Sequence, residues 1–167
     1  MKFLRLLGIV NVLILVSSLF LPWIVLRAPF IGEYRVSMVD MMLNRIRGYP
    51  GDDVKDGEGF KPSPLLSTSL IVTILLLIGS FLTSLLTLWR WKTSIFAGIL
   101  QISTYIMWNI SVEILKNDLA SSTNETFIKN LIGDLIDLGL GVYLVLIGGI
   151  IGLAIYFLGR YMLKDRQ

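Results

Sequence analysis

The commonest general base and the commonest thiol nucleophile are both missing from this chain, whose 167 residues include no cysteine and no histidine. That absence removes thiolate nucleophiles, disulfides, iron–sulfur clusters and sulfur-ligated zinc, together with histidine-ligated haem, copper and zinc. An enzyme would have to draw its acid or base from Glu33, Asp40, Glu113, Asp134 or Asp137, and no sequence spacing pairs any two of them. Four more acids, Asp52, Asp53, Asp56 and Glu58, fall in the turn-rich run 49–64. They lack the Asp-x-Asp-x-Asp-Gly order of a calcium loop and read as solvated charge. The expectation is no catalytic centre, no metal and no cofactor.

Those acids hang on an apolar frame. Hydrophobic residues make up 54% of the chain, charged residues only 16%, and mean hydropathy is +0.75, outside the globular range. Residues 65–88 and 93–112 carry no charge, and Trp89, Arg90, Trp91 and Lys92 form a hairpin turn between them. At about 1.5 Å per residue each run crosses a hydrocarbon core about 30 Å thick. A first run follows Lys2 and Arg5, reads as a retained span rather than a cleaved leader, and a fourth ends before Arg160. The fold class expected is an all-α membrane protein. It is a four-transmembrane-helix bundle forming one domain over 1–167, with spans at about 5–26, 65–89, 93–115 and 136–160. Outer loops would cover 27–64 and 116–135. Trp23, Trp89 and Trp91 are the expected interface anchors.

No charge interrupts the four cores, which argues against a coupled pump or a carrier for charged solutes. Asn11, Ser80, Gln101 and the Gly148 to Gly152 segment fall at one depth, one from each span, so an interhelical polar layer is expected. Amides are costly in hydrocarbon unless paired; Asn11 and Gln101 are therefore predicted to face inward and bond to another helix or to each other. Thr73, Ser80 and Thr87 recur every seven residues with Ser69 and Ser84 nearby, while Gly141, Gly148 and Gly159 share a heptad face, and Gly148 and Gly152 form a G-x-x-x-G pair. These small residues are packing surfaces, expected to close the monomer. Ala97, Gly98, Gln101, Tyr105 and Trp108 share one face whose aromatic bulk should fill the centre; a cofactor or quinone pocket is the sharper alternative.

The loops carry their own signals. Residues 33–39 alternate with the period of a half-buried strand. Ser37 and Asp40 then have capping-box spacing ahead of a helix burying Val39, Met42, Leu43 and Ile46. Asn124, Glu125 and Thr126 form an N-x-T acceptor, making Asn124 a glycosylation candidate if that loop faces a glycosylating compartment. Residues 127–136 have helical spacing and predict that the last helix begins outside the membrane, continuous or kinked near Gly133 or Gly139.

Charge sets the orientation. The amino end, the Trp-Arg-Trp-Lys turn and the carboxyl tail hold seven Lys or Arg against the single acid Asp165, whereas the two other loops hold eight against eleven acids. Positive-inside topology then puts both termini in the cytoplasm and both larger loops outside a plasma membrane. The net charge of +3 is topological rather than a nucleic-acid footprint.

This order of parts resembles the claudin-like four-span membrane proteins: cytoplasmic ends, a longer first outer loop with a strand and a short helix, and a smaller second outer loop. Trp23 aligns with that family's first-loop tryptophan; its Gly-Leu-Trp stretch and following two cysteines are not present in this chain. The resemblance implies strand pairing in the first loop and a barrier-like role. The function expected from the residues is non-catalytic assembly, as an accessory subunit or lateral scaffold whose partners are the bilayer and other membrane subunits or further copies of itself. A channel or carrier for a neutral or lipid-like solute is the alternative, with a membrane enzyme behind both.

Overall fold

The computed structural model describes residues 2–28, 32–41, 63–121 and 135–164. Among them are four helices long and apolar enough to cross a membrane: α1 (Lys2–Phe20), α2 (Pro64–Thr87), α3 (Ser94–Ser121) and α4 (Leu140–Lys164). Local chemistry sets the ends of α2. Ser63 caps it by accepting from the Leu66 amide at 3.1 Å, with Pro64 at a first-turn position that needs no donor. At the other end Arg90 is extended, Trp91–Thr93 forms one 3₁₀ turn, and Thr93 Oγ1 donates to the Arg90 carbonyl at 2.6 Å, which reverses the chain into α3. The hairpin is tied again at its open end, where the Ser63 amide donates to Asp118 Oδ2 at 3.2 Å. Helix α3 packs between α2 and α4, and α1 packs mainly on α4 and lightly on α2.

One end of the bundle carries an antiparallel three-stranded sheet in the order β2-β1-β3, formed by β1 (Pro22–Ala28), β2 (Gly32–Ser37) and β3 (Ile136–Leu138). The register runs Val25↔Arg35 on one side of β1 and Val25↔Asp137 on the other. Between Pro22 and Ile24 the register slips, so Trp23 is the extra residue of a bulge. Bulges re-aim side chains, and this one turns the indole down into the bundle. There it joins Leu15, Met38, Leu77, Trp108, Val112, Ile136, Val142 and Val145 in the main apolar core. Large apolar side chains face outward on all four helices, among them Leu13, Leu75, Leu82, Ile99, Ile106, Ile150 and Phe157.

The structure revises several expected bounds. The first helix stops at Phe20, and residues 22–26, expected inside the first span, are strand. Likewise 136–138 is strand, so α4 begins at Leu140 rather than continuing a helix from outside. Short apolar runs cannot be told apart as helix or buried strand by periodicity. Pro22, lacking an amide hydrogen, fits the first position of a strand. Helix α3 runs on to Ser121, past Glu113 and Lys116, whose pairing at 3.4 Å is an i,i+3 contact. The alternating segment forms β2 over Gly32–Ser37. The first-loop helix beyond Met41, the acids at 52–58, Asn124, the 127–132 segment and Asp134 lie outside the described residues.

Candidate functional site

Toward the Trp-Arg-Trp-Lys end of the bundle, Asn11 of α1, Ser80 and Ser84 of α2, and Gln101 of α3 are all 0% exposed. Gln101 Nε2 donates to Ser84 Oγ at 3.0 Å and to Asn11 Oδ1 at 3.3 Å, so one amide ties three helices. Ser80 Oγ donates to the Leu76 carbonyl at 2.7 Å and lies 3.5 Å from Thr104 Oγ1 on α3. From α4 the layer receives Gly148: a Cβ there would sit 2.9 Å from both Asn11 Oδ1 and Gln101 Oε1. Among the described residues Asn11 Nδ2, Gln101 Oε1 and Ser94 Oγ are buried without a hydrogen-bond partner. Nothing in this layer titrates, and its direct chemical effect is to lock helix register.

The small residues meet within the chain. Thr73, Ser80, Ser84 and Thr87 lie on the buried face of α2, with Thr73 Oγ1 donating to the Ser69 carbonyl at 2.9 Å. Gly152 lies against the Gly98 backbone of α3, Gly141 against the Trp23 ring, and Gly159 against the Trp91 ring. Backbones approach where the side chains are smallest.

Of the three tryptophans expected as surface anchors, Trp89 is 75% exposed and Trp91 is half-buried, its ring 6.0 Å from that of Tyr156. Trp23 is not an anchor but a core residue, 0% exposed. Its Nε1 donates to the Ser18 carbonyl at 2.7 Å, and its ring meets Trp108 edge-on at 5.1 Å. The bulge is the reason: a tryptophan at a helix end would point outward, whereas one in a strand folded back over the bundle points in. Trp108 fills the centre from α3, while Tyr105 is only partly buried and pairs with Tyr143 at 6.2 Å.

Between the sheet and helices α3 and α4, residues of β1, β3, α3 and α4 line a half-open cleft of about 450 Å³. Four charged side chains line it: Arg27, paired with Asp137 at 3.0 Å, and Lys116, paired with Glu113 at 3.4 Å. Its apolar wall includes Val112, Ile136 and Tyr143. Strand geometry puts Val25 and Arg27 on one face of β1; Asn109, Val112, Glu113 and Lys116, at i, i+3, i+4 and i+7, share one face of α3. Two of the five candidate acids, Glu113 and Asp137, are thus brought together, though far apart in sequence. Asp40 is not: its Oδ2 accepts from Ser37 Oγ at 2.6 Å and from the Ser37 amide at 3.0 Å, while its own amide donates to Ser37 Oγ at 3.1 Å. These bonds, the hydroxyl first, hold the Asp40 carboxyl below its ordinary value. Sequence reasoning missed Arg27 and Lys116 as site residues; the Glu113 to Lys116 spacing was visible, whereas the Arg27 to Asp137 meeting needed the strand register.

Comparison with family models, with curated proteins and with solved structures finds no match to this chain.

Proposed function

We propose that this chain is a four-span protein of the plasma membrane whose work is assembly with other membrane components, not catalysis. Both termini and the Trp-Arg-Trp-Lys turn are cytoplasmic in this reading, and the sheet is outside. The observation that carries it is the inversion of polarity. Large apolar side chains are exposed around all four helices, while the buried polar groups among the described residues are all uncharged. Apolar surface of that extent marks contact with lipid or another protein. The layout resembling claudin-like proteins belongs to the same proposal, supported by the paired strands β1 and β2 directly after α1. Since the small-residue stripes are filled from inside the chain, the reading assigns partner contacts to the sheet end. There β2 and β3 are both edge strands.

Purification of the tagged full chain in mild detergent, with identification of what accompanies it, tests the reading. A defined membrane subunit or a stable homo-oligomer is the expected result; a strictly monomeric protein without companions counts against assembly. The alternative, conduction of a neutral or lipid-like solute, draws on the two amide atoms left unpaired in the Asn11 and Gln101 layer. Liposome flux abolished by the Asn11→Leu, Gln101→Leu double substitution would bring that alternative forward.

A further inference from the structure

We propose that the cleft between the sheet and helices α3 and α4 holds the headgroup of an ethanolamine phospholipid from the adjoining leaflet, with its phosphate on Arg27 and Lys116 and its ammonium on Glu113 and Asp137. The inference rests on the membrane reading above and goes beyond it by naming the ligand. Among the described residues that line the cleft, two cations and two anions sum to zero charge, which suits a zwitterion better than an anion. Its volume of about 450 Å³ lies in the small-molecule range of roughly 300–1,000 Å³.

The two ion pairs do not close the site. Their side chains are 60% and 46% exposed in the Arg27–Asp137 pair, and 23% and 68% exposed in the Lys116–Glu113 pair. Exposed pairs are weakly held. A carboxylate has about four lone-pair positions, a guanidinium about five N–H donors and an ammonium three, so a single ion pair saturates none of these groups. The headgroup can therefore share them with the two ion pairs.

Two features choose the lipid and its amine. Toward the middle of the bundle from the cleft, Ile106 and Ile110 on α3 and Ile147 on α4 are exposed. A molecule seated by its head thus finds apolar surface where acyl chains would run, which a free zwitterion would not use. A primary ammonium donates hydrogen bonds to carboxylates. Choline's quaternary ammonium donates none and is recognised by aromatic cages, whereas among the described residues the cleft's wall offers one ring, that of Tyr143.

The test uses the full chain in detergent, given phosphatidylethanolamine, phosphatidylcholine and phosphatidylglycerol with identical acyl chains, and native mass spectrometry of the lipid retained. The expected result is retention of phosphatidylethanolamine about tenfold above the other two, the factor for about one charge-assisted hydrogen bond. Glu113→Gln with Asp137→Asn brings it down to the phosphatidylcholine level without lowering the latter. The exposed Glu113→Gln alone gives part of that loss, and the near-ultraviolet signal of the Trp23–Trp108 pair verifies folding. Equal retention of the three lipids by the wild type overturns the proposal, as does a preference that survives the substitutions in a folded protein. Competition by glycerophosphoethanolamine, which lacks acyl chains, at concentrations equal to the lipid's would assign the cleft to a soluble zwitterion and overturn the lipid. Alkaline carbonate extraction of cell membranes is read separately: release of the chain would fail the membrane reading itself.

Discussion

A methyl group added at Gly148 would lie 2.9 Å from two amide oxygens, whereas one added at Gly79 meets only Leu100 Cδ1 at 3.4 Å. The same substitution should therefore have opposite signs. Gly148→Ala is expected to destabilise the fold by about 1–3 kcal/mol through overpacking; Gly79→Ala should leave stability unchanged or raise it by up to about 1 kcal/mol from helix propensity. Unfolding midpoints in bicelles measure both. In a double-substitution cycle, Asn11→Leu and Gln101→Leu should couple by about 1 kcal/mol, because losing one partner strands the other while losing both does not. Asp40 gives a pH prediction of definite sign. Its folded-state pKa is depressed, so its contribution is present above the unfolded value and is lost as pH falls through the folded one. Carboxyl carbon shifts should place its midpoint below the ordinary carboxylate value, and Ser37→Ala should move it upward. Asn11 and Gln101 could be singled out in the sequence because an amide within an apolar run needs a partner. Ser84 as that partner could not: a helical serine can bond its own backbone, so its type does not reveal a bond across helices.

The elements divide the same way. Four uncharged runs of twenty-odd residues announce long helices, and the alternation after Glu33 announces β2. Strand β1 was hidden because it continues the apolar run of α1 without a change in composition, and β3 because its three residues, Ile136–Leu138, are too few to show a period. What separates β1 from α1 is Pro22 and the bulge at Trp23, and what docks the sheet is the Trp23 side chain. Besides the indole bond to Ser18, the Trp23 carbonyl accepts from the Gly139 amide at 2.9 Å and from Trp108 Nε1 at 3.4 Å. Trp23→Phe keeps an aromatic ring but leaves the Ser18 carbonyl without its indole donor, at a cost of about 1–3 kcal/mol. Hydrogen exchange should locate that cost: the Gly139 amide and β3 should exchange faster, while the amides of α2, away from the Trp23 bonds, stay as protected as before.

At the scale of the whole molecule, exposed Arg5, Arg90, Lys92 and Arg160 stand at the end away from the sheet, and the paired charges of the cleft stand at the other. Which helix neighbours which was not legible, since a small-residue stripe marks a packing face without naming its partner. The separation of charge was, and it carries the orientation proposed for the chain. With no native cysteine, a single introduced thiol reports its side unambiguously. Arg35→Cys on β2 and Ser121→Cys at the end of α3 should react with a membrane-impermeant maleimide on intact cells, and Lys92→Cys only after permeabilisation. All three reacting on intact cells would mean that no bilayer separates the two ends; the reverse pattern would mean an inverted protein. The Trp-Arg-Trp-Lys turn should also be a cause of the orientation, because cytoplasmic retention follows Lys and Arg near span ends. Replacing Arg90 and Lys92 by glutamine in the Arg35→Cys chain should then leave a fraction of molecules unlabelled until the cells are opened. An undiminished label would shift that role to the basic residues of the two termini.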